Sequence, residues 1–202
     1  MSDAFQVVRD FEEKIAEYAG SKYAVTVDSC TNAIFLCCQY VDIRGKEVTI
    51  PSRTYPSIPC SVIHAGGKVK FEDIKWKGTY QLKPFPIIDG AKRFTKNMYQ
   101  KGMFHCLSFH ARKHLNIGRG GVILTDDESA MKWFKKARFD GRGECKLEDD
   151  NFDQLGWNFY MTPEQASRGM LLFSMLEDEN EDLIESPDYP DLSKFNIYKG
   201  KK

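Results

Sequence analysis

The chain has 202 residues, of which 42% are hydrophobic and 29% are charged, as expected for one globular domain with a substantial core. Its 29 Lys and Arg residues balance 29 Asp and Glu residues, so no net field attracts nucleic acid or an anionic membrane. No apolar run approaches the roughly 20 residues that span a bilayer. The six cysteines show no C-x-x-C pair, which argues against a metal site or a disulfide framework and predicts reduced thiols and a cytoplasmic location.

The first part of the chain predicts a helix, a strand and a second helix. In residues 3–19, apolar side chains recur at three- and four-residue spacing, which is typical of an amphipathic helix, and Gly20 suits the turn after it. Residues 23–27 (YAVTV) predict a strand. Residues 31–41 are apolar on nearly every side, which predicts a helix that is buried all round.

The middle of the chain predicts three strands and one short helix. EVTIP (47–51), KVKFED (68–73) and FPIID (85–89) are short runs rich in β-branched and aromatic residues, as strands are. Residues 57–67 (SIPCSVIHAGG) predict a short helix that ends at two glycines.

The last part predicts two strands, FHCLSF (104–109) and GVILTD (121–126), and two helices. The segment 126–139 carries acids in its first turn and bases in its last, which matches the helix dipole. The segment 162–176 opens with the Thr-Pro-x-Gln pattern of a capping box.

Short strands that alternate with helices predict an α/β fold with a mostly parallel sheet flanked by helices. The predicted domain covers residues 1–176. Residues 177–202 begin with an acidic run interrupted by prolines, which predicts a solvated or partner-draped extension rather than a part of the core.

The first candidate site is the turn VTVDSCT, where a strand runs into the start of the buried helix. The free N–H groups of a helix start, with the hydroxyls of Ser29 and Thr31, could bind an anion. The alternative is an ordinary N-cap, which the motif alone favours.

The second candidate site is Asp89, which ends an apolar strand. In open α/β sheets, ligands gather at the carboxyl ends of strands. A carboxylate there could bind a cationic group, or it could simply cap the next helix.

The third candidate is Lys113, in the stretch SFHARKHLNIGRGG. A lysine acts as a nucleophile when burial or a nearby cation favours its neutral amine, and His110, Arg112 and His114 are possible cations. The alternative is a loop lysine in a basic cluster. The GRGG turn precedes a strand instead of opening a helix, which excludes a dinucleotide-binding fingerprint.

Together, the three candidates predict one ligand with a phosphate, a ring nitrogen that needs a carboxylate and an aldehyde that needs a lysine. Pyridoxal phosphate has all three groups, and a carboxylate at its ring nitrogen keeps that nitrogen protonated.

The order of these motifs resembles the DegT/DnrJ/EryC1/StrS family of pyridoxal-phosphate-dependent sugar aminotransferases, which have the type I aminotransferase fold. The resemblance runs to about residue 176 through FEEKIAEYAGSKYAVTVDSCTNAI, EVTIPSRTYPS, PIIDGAK, SFHARKHLNIGRGG and GWNFYMTPEQAS. The order is more specific than any single motif.

The resemblance implies a role for each matching residue. Lys113 would form the Schiff base and then move the proton, and Asp89 would pair with the ring nitrogen. Ser108, Cys30 and Thr31 would hold the phosphate. Tyr55 would lie against the cofactor face, Lys92 would lie near the phenolic oxygen, and Asn158 would reach the phosphate of a neighbouring subunit. The last role implies a homodimer with shared sites.

The sequence departs from the family pattern in four places. Cys30 stands where the family has glycine, Lys92 stands where it has glutamine, and Arg119 replaces an acid. A cysteine at position 30 would be strained if its φ were positive. The link between KVKFED and FPIID is shorter than in the family, and most of the C-terminal small domain is absent. The resemblance therefore implies a shortened member.

The implied function is transfer of an amino group, with glutamate as the usual donor, to a nucleotide-linked keto sugar. One alternative is a catalytically impaired homologue that binds pyridoxal phosphate or a sugar nucleotide. Another is a partner subunit of a full-length aminotransferase. A sugar dehydratase is disfavoured, because the dehydratases of this family carry histidine in place of Lys113.

Overall fold

The computed structural model describes residues 3–183 and 189–199. The helices are α1 (Gln6–Ala19), α2 (Cys30–Tyr40), α3 (Ser57–His64), α4 (Glu128–Ala137) and α5 (Pro163–Phe173). The strands are β1 (Tyr23–Val27), β2 (Glu47–Pro51), β3 (Lys68–Glu72), β4 (Tyr80–Gln81), β5 (Ile87–Asp89), β6 (Phe104–Ser108) and β7 (Gly121–Thr125).

The five predicted helices and six predicted strands are confirmed, with ends that differ by one to a few residues. Gly20 ends α1 in the left-handed conformation at φ 78°, and Thr162 and Gln165 form the predicted capping box of α5. The seventh strand, β4, has no sequence signal, because two residues are too few to show a period.

The sheet is mixed, which corrects the expectation of a mostly parallel one. Five strands follow the order β1-β7-β6-β5-β4, and only β5 and β6 are parallel among them. β2 and β3 form a separate parallel pair. A tight turn joins β4 to β5 and a loop without a helix joins β6 to β7, so neither connection provides the helical crossover that parallel neighbours usually have.

The five-stranded sheet is buried on both faces. On β7, Ile123 belongs to the core shared with α2 and α4, whereas Val122 and Leu124 belong to the core shared with α1 and α5. This alternation follows from the two-residue period of a strand. The fold is therefore a helix–sheet–helix sandwich, and α2 is buried as its apolar sequence predicts.

A buried ion pair joins three elements at one edge of this sandwich. The Glu12 carboxylate on α1 accepts hydrogen bonds from the Thr26 backbone N–H on β1 at 2.8 Å and from the Arg138 guanidinium at the end of α4. Both charged side chains are 5% exposed. The pair therefore connects α1 and α4 to β1. Removal of either partner would destabilise the fold, because it would leave an uncompensated buried charge.

The described part of the C-terminal extension packs against the body. The Tyr18 hydroxyl donates to the Glu177 carbonyl at 2.7 Å, and Arg93 forms a two-pronged ion pair with Asp182. Leu192 is 2% exposed, and its N–H donates to the Ser52 carbonyl at 2.8 Å. The described extension is therefore anchored at these points, although Glu177 and several other residues of it are exposed. The extension and the domain boundary at residue 176 stay predictions.

Within residues 3–183 and 189–199, no helix combines the length and the apolar character needed to cross a membrane.

The buried His105 on β6 makes folding sensitive to acid. Its Nε2 accepts from the Gln100 N–H, and its Nδ1 is buried without a hydrogen-bond partner among the described residues. Burial, and then the positive charge of Arg93, lower the pKa of His105 from 6.5 to about 4. The unfolded chain therefore binds this proton first as the pH falls.

We expect the contribution of neutral His105 to the free energy of unfolding to be fully present above pH 6.5 and to be lost as the pH falls toward 4. Between pH 7 and pH 5 this one group should cost about 2 kcal/mol of unfolding free energy. In His105→Gln, which cannot titrate, urea unfolding should show an acid loss smaller by that amount. His64→Gln, at an exposed histidine, is the control. Equal acid losses in wild type and His105→Gln would contradict the assignment.

Candidate active site

One cavity of about 530 Å³ opens where the carboxyl ends of β5 and β6 meet the start of α2. The two parallel strands end side by side there, as ligand sites in α/β sheets require. Its volume lies in the range of small-molecule sites. Residues from seven parts of the chain line it: 29–31, 54–58, 76, 89–92, 108–113, 119–120 and 189.

Asp89 is a buried carboxylate at the end of β5, with 6% of its surface exposed. Its Oδ1 accepts from the Ala91 N–H at 2.9 Å, and its Oδ2 accepts from the Tyr80 hydroxyl at 2.7 Å. Burial raises the pKa of Asp89, while these two donors and the charges of Lys113 and Lys92 oppose that rise. The Ala91 contact begins no helix, so the helix-cap alternative for Asp89 does not apply.

Lys113 is a half-buried amine in the same cavity. Its backbone N–H donates to the His110 carbonyl at 2.9 Å in a turn that follows β6, and the buried Leu115 anchors the loop beyond it. Burial lowers the pKa of Lys113, and the positive charge of Lys92 lowers it further. The effective cation is thus Lys92 rather than the neighbouring histidines and arginine. A lysine with a depressed pKa is a better nucleophile at neutral pH.

The start of α2 lines one end of the cavity. The Ser29 hydroxyl accepts from the Asn32 N–H at 3.2 Å and donates to Asp28 at 3.1 Å, so Ser29 is the N-cap. Cys30 and Thr31 are the first helical residues and line the cavity. First-turn N–H groups lack intrahelical partners, so they can bind an anion there.

Two departures from the family pattern have structural explanations. Cys30 is helical, and the non-glycine residues with positive φ in the described chain lie elsewhere, so the predicted strain does not occur. Arg119 forms an ion pair with Asp28 at 2.7 Å beside the α2 start. Gly121 is needed there, because a Cβ would lie 2.5 Å from the Cys30 nitrogen.

Three aromatic side chains form one wall of the cavity. Trp76 and Tyr189 are stacked, with ring centroids 6.4 Å apart and an interplanar angle of 23°, and Tyr55 meets Tyr189 edge-on at 6.5 Å. The Lys92 Nζ lies 5.8 Å from the centre of the Tyr189 ring. Trp76 comes from the short link and Tyr189 from the C-terminal extension, so both deviating segments help to build the site.

The structure brings seven of the eight predicted site residues into this cavity: Cys30, Thr31, Tyr55, Asp89, Lys92, Ser108 and Lys113. Asn158 lies outside the residues that line it, is exposed, and donates to Asp140 at 3.1 Å. Their individual roles remain predictions. The sequence analysis did not identify Thr54, Trp76, Tyr80 and Tyr189 as site residues. The aromatic residues of the link and of the acidic tail were a signal for the last three, and Thr54 had none.

These residues fit pyridoxal phosphate: a buried carboxylate for the ring nitrogen, an amine for the aldehyde and a helix start for the phosphate. The model of the DegT/DnrJ/EryC1/StrS aminotransferase family matches residues 3–98 and 89–185. The chain therefore belongs to this family, whose members are pyridoxal-phosphate-dependent aminotransferases, and the resemblance found in the sequence is confirmed.

Similar proteins agree with this assignment. A "UDP-4-amino-4,6-dideoxy-N-acetyl-beta-L-altrosamine transaminase" of Campylobacter jejuni is 23% identical over 91% of this chain and 61% of its own length. A "GDP-perosamine synthase" of Escherichia coli O157:H7 is 24% identical over 94% of this chain and 63% of its own length. The chain spans about three fifths of the length of these curated relatives.

Solved structures show the same fold. A DegT DnrJ EryC1 StrS aminotransferase from Brucella abortus superimposes with a TM-score of 0.73 at 20% identity, over 86% of this chain and 60% of that one. The aminotransferase from Psychrobacter cryohalolentis gives 0.72 at 22% identity, over 84% and 56%. The predicted type I aminotransferase fold is confirmed.

We expect Lys92→Gln to raise the pKa of Lys113, because the substitution removes a like charge. The pH dependence of Lys113 labelling by an amine-reactive reagent, followed by mass spectrometry of the apoprotein, measures this directly. Lys96→Gln removes a lysine that pairs with Asp178 and does not line the cavity, so it should change nothing. An unchanged pH midpoint of Lys113 labelling in Lys92→Gln would show that the charge of Lys92 does not lower the pKa of Lys113.

Proposed function

We propose that this chain binds pyridoxal phosphate and transfers an amino group to a nucleotide-linked keto sugar, with glutamate as the expected donor. The observation that carries the proposal is the meeting, in one cavity, of a half-buried amine, a buried carboxylate and a helix start. When bound, pyridoxal phosphate supplies an electron sink for bonds at the amino-bearing carbon.

The side chains divide the work between binding and proton transfer. Lys113 is the amine that would bond the aldehyde carbon, and once released it would carry a proton at the substrate carbon. Asp89 would hold the proton on the ring nitrogen. The N–H groups at the start of α2 and the hydroxyls of Thr31 and Ser108 would hold the phosphate.

The names of the relatives support the class of acceptor. The Campylobacter jejuni transaminase is named for a UDP-linked amino sugar, and the Escherichia coli synthase for a GDP-linked one. The donor rests on the family resemblance, and a cytoplasmic location is part of the same proposal.

The exposure of Tyr55 supports a shared site in a homodimer. Tyr55, the expected partner of the cofactor face, is 59% exposed, so the described chain does not cover this side of the cavity. Asn158 is exposed outside the cavity, which is where a side chain that serves a neighbouring subunit must lie. The same open side also fits the alternative of a partner subunit for a full-length aminotransferase.

We expect wild-type protein mixed with pyridoxal phosphate to develop a visible absorption band that borohydride abolishes, leaving the label on the peptide that contains Lys113. Lys113→Ala should lose the band and at least about 10²-fold in turnover, as removal of a catalytic proton carrier does. Lys92→Ala, in which the second cavity lysine is removed, should keep the band. A label on Lys92 in wild type would move the reactive amine to that residue.

We expect glutamate alone to convert the loaded protein to its amine form, since donor and acceptor react in separate steps. Loss of the visible band with formation of 2-oxoglutarate measures this half-reaction. A band that resists glutamate in isolated protein but responds after addition of a full-length family member would favour the partner-subunit alternative. A band that resists both would favour the binding homologue.

A further inference from the structure

Three buried side chains form a hydrogen-bonded chain at the wall of the cavity, which Thr54 and Asp89 line and Tyr80 does not. The Tyr80 hydroxyl lies 2.7 Å from Asp89 Oδ2, and Thr54 Oγ1 lies 2.5 Å from the same hydroxyl. Their exposed fractions are 1% for Thr54, 7% for Tyr80 and 6% for Asp89. The proposed function uses the Asp89 carboxylate and leaves the other two groups without a role.

The proton positions follow from the number of donors. An ionised carboxylate only accepts, so the single phenolic proton of Tyr80 points to Asp89, and Thr54 must donate to Tyr80. Burial, and next the charge of Asp89, raise the pKa of Tyr80, which keeps that proton in place. With the Ala91 N–H on Oδ1, each oxygen of Asp89 has one protein donor and retains acceptor capacity.

Tyr80 is held in this position by backbone and packing. It lies directly opposite Asp89 in the antiparallel pair of β4 and β5, so both side chains point to the same face. The Trp76 ring packs edge-on against the Tyr80 ring at 4.7 Å, and the Trp76 indole N–H donates to the Arg53 carbonyl at 3.0 Å. The short link before β5 thus delivers a rigid donor to the back of the carboxylate.

We propose that Tyr80, with Thr54 behind it, is a positioning residue that keeps Asp89 as an ionised acceptor for the protonated ring nitrogen of pyridoxal phosphate. This inference rests on the proposed function. A buried carboxylate without the phenol would favour its protonated form and could no longer accept from a ring N–H. Burial raises the pKa of Asp89, whereas Tyr80, Lys113 and Lys92 act to lower it. The charge of Asp89 in turn acts to raise the pKa of five groups of the described chain: Cys30, Tyr80, Cys106, Lys113 and Tyr189. At Lys113, burial outweighs this effect and lowers the pKa.

The test compares two ligands on Tyr80→Phe. Pyridoxal phosphate should bind about 10-fold or more weakly to the variant than to wild type, the usual effect of removing a hydrogen bond to a charged group. An analogue with a carbon in place of the ring nitrogen should bind both proteins equally, since it needs no carboxylate acceptor. Tyr18→Phe is the matched control, because Tyr18 is equally buried, donates to the Glu177 carbonyl and does not line the cavity.

A second readout uses the apoprotein without any cofactor. The ¹³C resonance of the Asp89 carboxyl carbon should titrate at higher pH in Tyr80→Phe than in wild type and be unchanged in Tyr18→Phe. Thr54→Val keeps the phenol and should shift both readouts in the same direction by less, so it replaces Tyr80→Phe if that variant does not fold.

The outcomes separate this inference from the proposed function. If wild type binds no pyridoxal phosphate, the proposed function fails and this inference with it. If wild type binds it and Tyr80→Phe binds it equally well, only the role of Tyr80 is overturned. Equal weakening toward pyridoxal phosphate and the analogue would reduce Tyr80 to a structural residue and would also overturn the inference.

Discussion

The buried carboxylate of Asp89 is the constraint on which the candidate site depends. A charge removed from water is costly unless donors and opposite charges surround it. In this chain, the Ala91 N–H and the Tyr80 hydroxyl supply the donors, and Lys113 and Lys92 supply the charges. These groups therefore have to lie at the end of β5. The link supplies Tyr80, and the loop after β6 supplies Lys113.

The two cavity lysines are unequal because their surroundings differ. Lys113 is buried deeply enough for desolvation to lower its pKa, and Lys92 adds a like charge. Lys92 itself lies beside the Tyr189 ring, where an aromatic face can accept a cation. Burial and this like charge therefore favour the neutral amine at Lys113, although both lysines line one cavity.

The segments that depart most from the family pattern are also the ones that complete the site. The short link contributes Trp76 and Tyr80, and the C-terminal extension contributes Tyr189, whose backbone carbonyl accepts from Arg53 at 3.1 Å. Tyr80 contacts the Asp89 carboxylate directly, and Trp76 and Tyr189 line the same cavity. Tyr55 remains exposed beside them, which leaves one side open to a second chain.

The sequence determined the helices and six of the seven strands of the described chain, because hydrophobic periods and caps act over short distances. It also determined the family, because the order of the motifs along the chain is specific. It also indicated Lys113, Asp89 and the start of α2 as a set. Only the tertiary structure decided strand direction, which depends on how connections cross the sheet. It alone paired Tyr80 with Asp89, Arg119 with Asp28 and Lys92 with Tyr189. Those pairs join residues that carry no mutual signal along the chain, and their proximity arises only when β4, the loop and the extension fold around one buried charge.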